Sequence, residues 1–227
     1  MSGLELLLLA LLGAIVGLDM VSFPQAMISR PLVAATVAGA LIGDAEHGLL
    51  VGAVLELIAL ETLPVGASRY PEWGSASVVG GALFARFADA GAGALAVAVL
   101  GALATAWAGG WTMVSVRRLN GIIARRSRAS LERGSSAAVS GVQFAGLAAD
   151  FVRGGLLTLI ALLLLMPVAQ ASVSLWSAPL IASRGFVVAV AGAVAVAAVW
   201  KLFHGTPYAR LLFVGGLVGG LAVVVFA

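Results

Sequence analysis

The chain has 227 residues, 62% of them hydrophobic and 10% charged, with a formal net charge of +3 and a mean hydropathy of +1.12. Water-soluble domains carry about 25% charged residues, so this composition excludes an independent soluble domain and predicts one integral membrane domain over residues 1–227. With no cysteine there is no disulfide, thiolate metal site or cysteine nucleophile, and 13 basic residues, many in one cluster, do not make a nucleic-acid surface.

No segment shows the in-and-out alternation of a barrel strand, whereas residues 156–168 and 186–199 are apolar on every face. The spans are therefore predicted to be helices, which satisfy their own backbone groups where water is absent. The fold class is an all-α polytopic membrane protein with transmembrane helices plus re-entrant hairpins or broken helices. Residues 4–18 form a Leu-rich helix that ends near Asp19. Glu5 is its only charge and Arg30 the first basic residue, so it lacks the basic start of a signal peptide and reads as a membrane segment. Residues 20–29 make a short connection holding Pro24 and Gln25. The run Ser29, Arg30, Pro31 predicts a helix start, with Ser29 as capping oxygen and Pro31 in the first turn.

Two apolar runs follow, residues 32–42 and 49–60, each well short of the ~20 residues a helix needs to cross the hydrocarbon core. Gly43, Asp44, Glu46, His47 and Gly48 separate them. The pair reads as a broken span or a re-entrant hairpin, and either is tolerated only when buried in protein or lining a cavity. Residues 29–77 as a whole are the expected re-entrant, substrate-binding segment. From 75 to 113 the chain is weakly hydrophobic and rich in Gly and Ala, including Gly80, Gly81, Gly91, Gly93 and Gly101, which favours close helix contact over lipid exposure. A short helix, a break near 90–93 and a full span to about Trp111 are expected, with Arg86 and Asp89 placed to pair on one helix face.

Six arginines lie between Arg117 and Arg133, so residues 117–136 are expected to be a basic cytoplasmic loop. Its Leu119, Ile122, Ile123 and Leu131 suit a helix lying along the headgroups, and the same arginines suit a docking surface for an acidic partner. Residues 137–149 are moderately apolar, Asp150 and Arg153 form another pair three residues apart, and the last spans are expected at 154–176, 186–203 and 211–226.

Glu56 is the sharpest candidate. A carboxylate inside LLVGAVLELIAL is costly against lipid and must face protein, water or ligand. It can accept hydrogen bonds from a polar solute or pair with an arginine such as Arg30 or Arg86. Glu61 lies about 140° further around an ideal helix, so the two carboxylates make a poor acid/base or metal pair. Gly66, Ala67 and Ser68 can present backbone amides and a hydroxyl to a cavity. Tyr70 and Trp73 suit stacking on a sugar ring and equally an interfacial aromatic belt. Asp44, Glu46 and His47 match no common metal spacing, and a solvated hairpin tip explains them, so no metal is expected. The sequence holds no P-loop, HExxH or GxSxG, and His47 and His204 stand in no readable triad. No catalytic residue and no cofactor is therefore expected in this chain.

The run SRPLVAATVAGALIGDAEHGLLVGAVLELIAL, with Gln25 upstream and Gly66, Ala67, Pro71 and Glu72 downstream, resembles the membrane C subunit of the mannose/fructose/sorbose family of the bacterial phosphotransferase system. Weaker similarity continues through the basic loop, residues 142–153 and the closing LLFVGGLVGGL. The resemblance implies a sugar channel subunit (IIC) of the bacterial inner membrane, working with a membrane IID subunit in an oligomer of IIC/IID pairs. It implies a cytoplasmic IIB subunit that phosphorylates the sugar after a IIA subunit has charged it. It further implies that Gln25, Glu56, Gly66, Ala67, Ser68 and Glu72 bind sugar hydroxyls near the membrane midplane. Pro64 and Glu61 depart from the pattern of mannose-type members, and the chain has almost no C-terminal tail. A noncatalytic membrane scaffold or sensor, and a proton-coupled secondary transporter, are the competing readings.

Overall fold

The computed structural model describes residues 1–60 and 69–226, which contain helices and no strand. In order these are α1 (Gly3–Asp19), α2 (Pro31–Ile42), α3 (Ala45–Ala59), α4 (Trp73–Arg86), a 3-10 turn (Ala88–Ala90), α5 (Ala92–Arg126), α6 (Arg128–Glu132), α7 (Ser136–Ser174), α8 (Leu180–Phe203) and α9 (Ala209–Phe226). Of these, α5, α7 and most of α8 are long and apolar enough to cross a membrane. The expected class, an all-α polytopic membrane protein, is the observed one.

Local chemistry sets the helix ends. Ser2 and Glu5 form a reciprocal capping box that starts α1. Pro31 opens α2 as expected, but the capping position is Arg30, and no side chain caps it. Ser29 is not the cap. Its own N–H is taken by the Asp19 carboxylate at 2.9 Å, which draws Ser29 back toward α1. Gly43 ends α2 at φ 101°, a left-handed conformation that glycine adopts without a Cβ penalty. Asp44 then caps α3 by accepting the His47 N–H at 3.1 Å.

The two short helices run antiparallel. A Cβ at Gly39 would lie 2.8 Å from the Gly48 Cα, and one at Gly52 would lie 2.9 Å from the Pro31 oxygen. At 1.5 Å per residue, 12-residue α2 and 15-residue α3 are about 18 and 22 Å long, against a hydrocarbon core of about 30 Å. They form a hairpin of half-spans rather than one broken span.

Helix α4 sits at the centre, with every residue from Trp73 to Ala85 buried. Its weak hydropathy follows from that position. Its neighbours are α2, α3, α1, α5 and α7, so it needs small residues for close approach rather than bulky ones for lipid. A Cβ at Gly81 would come within 2.4 Å of the Ala35 carbonyl oxygen. The expected break after α4 is present, but Arg86 ends the helix while Asp89 belongs to the 3-10 turn. They share no helix face, and no ion pair joins them among the described residues.

The basic segment differs from the expectation. Helix α5 continues past Trp111 for fifteen more residues to Arg126, and α7 begins at Ser136 and runs unbroken through Pro167 to Ser174. The 35 residues of α5 give about 52 Å, so it extends some 20 Å beyond a bilayer core. Residues 117–136 are the helical tip of the long α5/α7 hairpin, closed by α6 and by Gly134 at φ 73°. They are helical rather than an open loop. Arginine is a good helix former, so the charges that end the apolar pattern do not end the helix.

Candidate functional site

Asp19 ends α1 as a buried residue, 1% exposed. Its carboxylate turns back onto the connection between α1 and α2, accepting the Ala26 N–H at 2.6 Å and the Ser29 N–H at 2.9 Å. Gln25 and Met27 in this connection sit at φ 59° and 63°, conformations unfavourable for residues with a Cβ. The two charge-assisted bonds from Asp19 offset that strain and hold the connection in tight turns.

Beneath the connection lies a cavity of about 300 Å³, bounded by Asp19, Gln25, Ser29, Arg30, Met27 and Trp73 among others. That volume is at the small end of ligand sites. Its lining brings together residues that carry a carboxylate, an amide, a hydroxyl and a guanidinium with the tryptophan at the start of α4. Such a set offers donors and acceptors for hydroxyls and an aromatic face for ring C–H groups. The Gln25 amide is oriented by donating to the Val21 carbonyl at 2.7 Å.

Glu56 is not part of the lining of this cavity. Of its two possible arginine partners, the structure selects Arg30. One carboxylate oxygen pairs with the Arg30 guanidinium and the other accepts the Leu32 N–H at 3.2 Å. Glu56 on α3 thus anchors the first turn of α2 and holds Arg30, which does line the cavity.

Glu72 is fully buried. Its carboxylate caps α4 by accepting the Ser75 N–H at 3.1 Å, and its own N–H bonds the Ala106 carbonyl on α5 at 2.9 Å. It does not line the cavity; the next residue, Trp73, does. Glu72 lies against Arg153 of α7, with Oε2 at 3.9 Å from Nη1. The expected Asp150–Arg153 pair is made, Nε donating to Oδ1 at 2.6 Å.

The segment after residue 68 is clamped to α5. Arg117 donates to the Tyr70 hydroxyl at 2.7 Å and lies over its ring, while Arg69 stacks 4.3 Å from the Trp111 ring centroid. Of the two aromatics considered, Trp73 faces the cavity and Tyr70 faces α5. Gly66, Ala67 and Ser68, with Glu61 and Pro64, lie outside the described residues. His47 pairs with Asp44 at 2.7 Å and sets its ring edge against Phe84. No cluster of metal-ligating side chains occurs among the described residues.

Sequence reasoning missed Asp19 and Ser29 as cavity residues. Asp19 carried a signal akin to the one that singled out Glu56, a carboxylate adjoining an apolar helix.

A family model described as "PTS system sorbose-specific iic component" matches residues 4–217. The fructose permease IIC component of Bacillus subtilis (strain 168) is 40% identical over 100 residues, covering 44% of this chain and 36% of that protein. The sorbose-specific EIIC component of Klebsiella pneumoniae is 36% identical over 78 residues, covering 34% and 29%. The matched stretches thus span about a third of those relatives' length. Among solved structures, one titled "Structure of membrane protein" superposes with a TM-score of 0.70 at 22% identity, covering 100% of this chain and 96% of the other. A second, titled as the mannose transporter ManYZ in complex with microcin E492, gives 0.62 at 22% identity, covering 97% and 87%. At that identity the likeness is one of fold.

Proposed function

The chain belongs to the family of phosphotransferase-system sorbose-specific IIC components, and on that premise we propose that it is the sugar-translocating membrane subunit of a phosphoenolpyruvate-dependent phosphotransferase system. It binds a hexose-type sugar and presents it to a cytoplasmic phospho-IIB subunit, which a IIA subunit recharges. It works beside a membrane IID subunit, in an assembly of such pairs in the bacterial inner membrane, with the arginine-rich tip of α5 and α7 on the cytoplasmic side.

The observation that carries this reading is the cavity of about 300 Å³ between the α1–α2 connection and Trp73. Its mixture of hydrogen-bonding groups and one aromatic face suits a polyhydroxylated ring. Gln25 contacts the sugar directly, and Glu56 acts by holding Arg30 at the rim. Glu72 acts by seating Trp73, and Gly66, Ala67 and Ser68 complete the site from the adjoining segment. The α2/α3 hairpin is short enough to enter and leave the membrane from one face. Displaced against α4, on which both of its helices pack, it opens the cavity and releases the bound sugar toward the cytoplasm.

The test is uptake of radiolabelled mannose, fructose and sorbose by vesicles holding the IIC/IID pair, with and without phosphorylated IIB. Uptake of at least one sugar should require phospho-IIB, and Gln25→Ala should raise its KM by roughly ten-fold, the effect of losing one sugar hydrogen bond. Uptake indifferent to phospho-IIB, to Gln25→Ala and to Glu56→Ala overturns the reading. Uptake driven by a proton gradient alone identifies a secondary transporter instead.

A further inference from the structure

The cavity has two walls on different parts of the fold, and one buried side chain reaches toward both. Ser22, in the connection that forms the first wall, donates its hydroxyl to Asp150 of α7 at 2.6 Å. The other Asp150 oxygen accepts from Arg153 Nε at 2.6 Å. Arg153 Nη2 donates to the Gly17 carbonyl at 3.2 Å, in the last turn of α1, where a cation complements the helix dipole. Its remaining nitrogen, Nη1, is buried with no hydrogen-bond partner. That atom lies 3.9 Å from Glu72 Oε2, about 1 Å beyond a charge-assisted bond. Glu72 seats Trp73, the second wall.

None of Ser22, Asp150 and Arg153 lines the cavity, and Asp150 and Arg153 are 7% and 6% exposed. A buried ionic group with an unmade bond is costly, and more so away from water. Hydrophobic residues would hold α7 to α1 at lower cost. Gly13, Gly17 and Gly154 already bring the two backbones together, for a Cβ at Gly154 would lie 2.6 Å from the Gly13 oxygen. Packing of α1 on α7 therefore does not require the ion pair. What the pair adds is a link between the connection and the start of α4.

We propose that Asp150 and Arg153 are positioning residues for the sugar cavity: through Ser22 they fix the wall formed by the α1–α2 connection, and through Glu72 they couple it to the wall that carries Trp73. A displacement of the guanidinium by about 1 Å toward Glu72 completes the Nη1 bond, so movement of either wall is felt by the other. The inference rests on the sugar reading of the cavity.

Two readouts test it in the IIC/IID pair, and the absence of native cysteine makes the first direct. Ser29→Cys, on the cavity side of the connection, is labelled with a maleimide in the absence of sugar. Adding Ser22→Ala or Asp150→Asn should speed labelling several-fold, whereas Ser22→Thr, which keeps the hydroxyl, should restore the original rate. In uptake with phospho-IIB, Ser22→Ala should raise KM for the transported sugar roughly ten-fold while the maximal rate stays within two-fold. Unchanged labelling in Ser22→Ala overturns the proposal. So does faster labelling with unchanged KM when Gln25→Ala does raise KM, because the connection would then be held without effect on the site. If Gln25→Ala is also silent, the sugar reading of the cavity falls, and labelling alone decides the mechanical link. Ser22→Ala keeps the test decisive should Arg153 variants fail to fold.

Discussion

Replacing Glu56 separates its role as an anchor from its role at the sugar. Its two oxygens make one charge-assisted bond to Arg30 and one bond to the Leu32 N–H, tying the end of α3 to the first turn of α2. A charge-assisted bond contributes about 1.5 to 3 kcal/mol and a backbone N–H bond about 1. The Arg30 side chain is 44% exposed and rehydrates when released, which brings the ionic part to about 1 kcal/mol. Glu56→Ala should therefore destabilise the purified protein by about 2 kcal/mol, and Glu56→Gln, which keeps an acceptor for Leu32, by about 1 kcal/mol. In an Arg30→Gln background the cost of Glu56→Gln should nearly vanish, giving a coupling of about 1 kcal/mol in the double-mutant cycle. The assay is reversible denaturant unfolding in detergent micelles, with sugar uptake measured on the same four proteins. Additive single-mutant effects would refute the anchoring argument. If Glu56 acts on sugar only by holding Arg30, the KM changes of Arg30→Gln and Glu56→Gln should not add either.

Packing and topology give two further outcomes. Gly81→Ala puts a Cβ 2.4 Å from the Ala35 carbonyl oxygen, so α2 and α4 must separate, and the same unfolding assay should show a loss of about 1 to 3 kcal/mol. Gly216→Ala in α9 meets nothing within 4 Å and should be neutral or stabilising by up to about 1 kcal/mol, the helix-propensity gain. A cysteine placed at Ser130, in α6 at the arginine-rich tip, should react with a membrane-impermeant maleimide in inside-out vesicles and stay protected in intact cells. The reverse pattern would invert the orientation assigned here.

Much of the scaffold was readable from residue order. The half-span lengths on either side of Gly43 and Asp44, the break near Gly91 and the small residues of α4 all follow from rules that act locally or on helix contacts in general. The helix lengths around the arginines were not readable in the same way. Hydropathy reports where the apolar pattern ends, and α5 continues as a helix beyond that point because its backbone bonds do not depend on that pattern. A capping rule that weighs only neighbours in sequence puts Ser29 at the start of α2, whereas the cap position falls one residue later, at Arg30, and Ser29 is held by Asp19, ten residues earlier.

The candidate site divides along the same line. Sequence alone determined that Glu56 needs a partner, because an ionised carboxylate in an apolar run is intolerable wherever the chain folds. It also determined the family resemblance and the pairing of Asp150 with Arg153, which lie one helical turn apart. Only tertiary structure decided that the partner of Glu56 is Arg30, and that Asp19 and Trp73 share a cavity with Gln25. It alone brought Arg153 between the supports of that cavity's two walls. Those relations join residues up to 136 positions apart, as between Arg153 and Gly17. They depend on how glycine-faced helices close on one another, a geometry that no local pattern encodes.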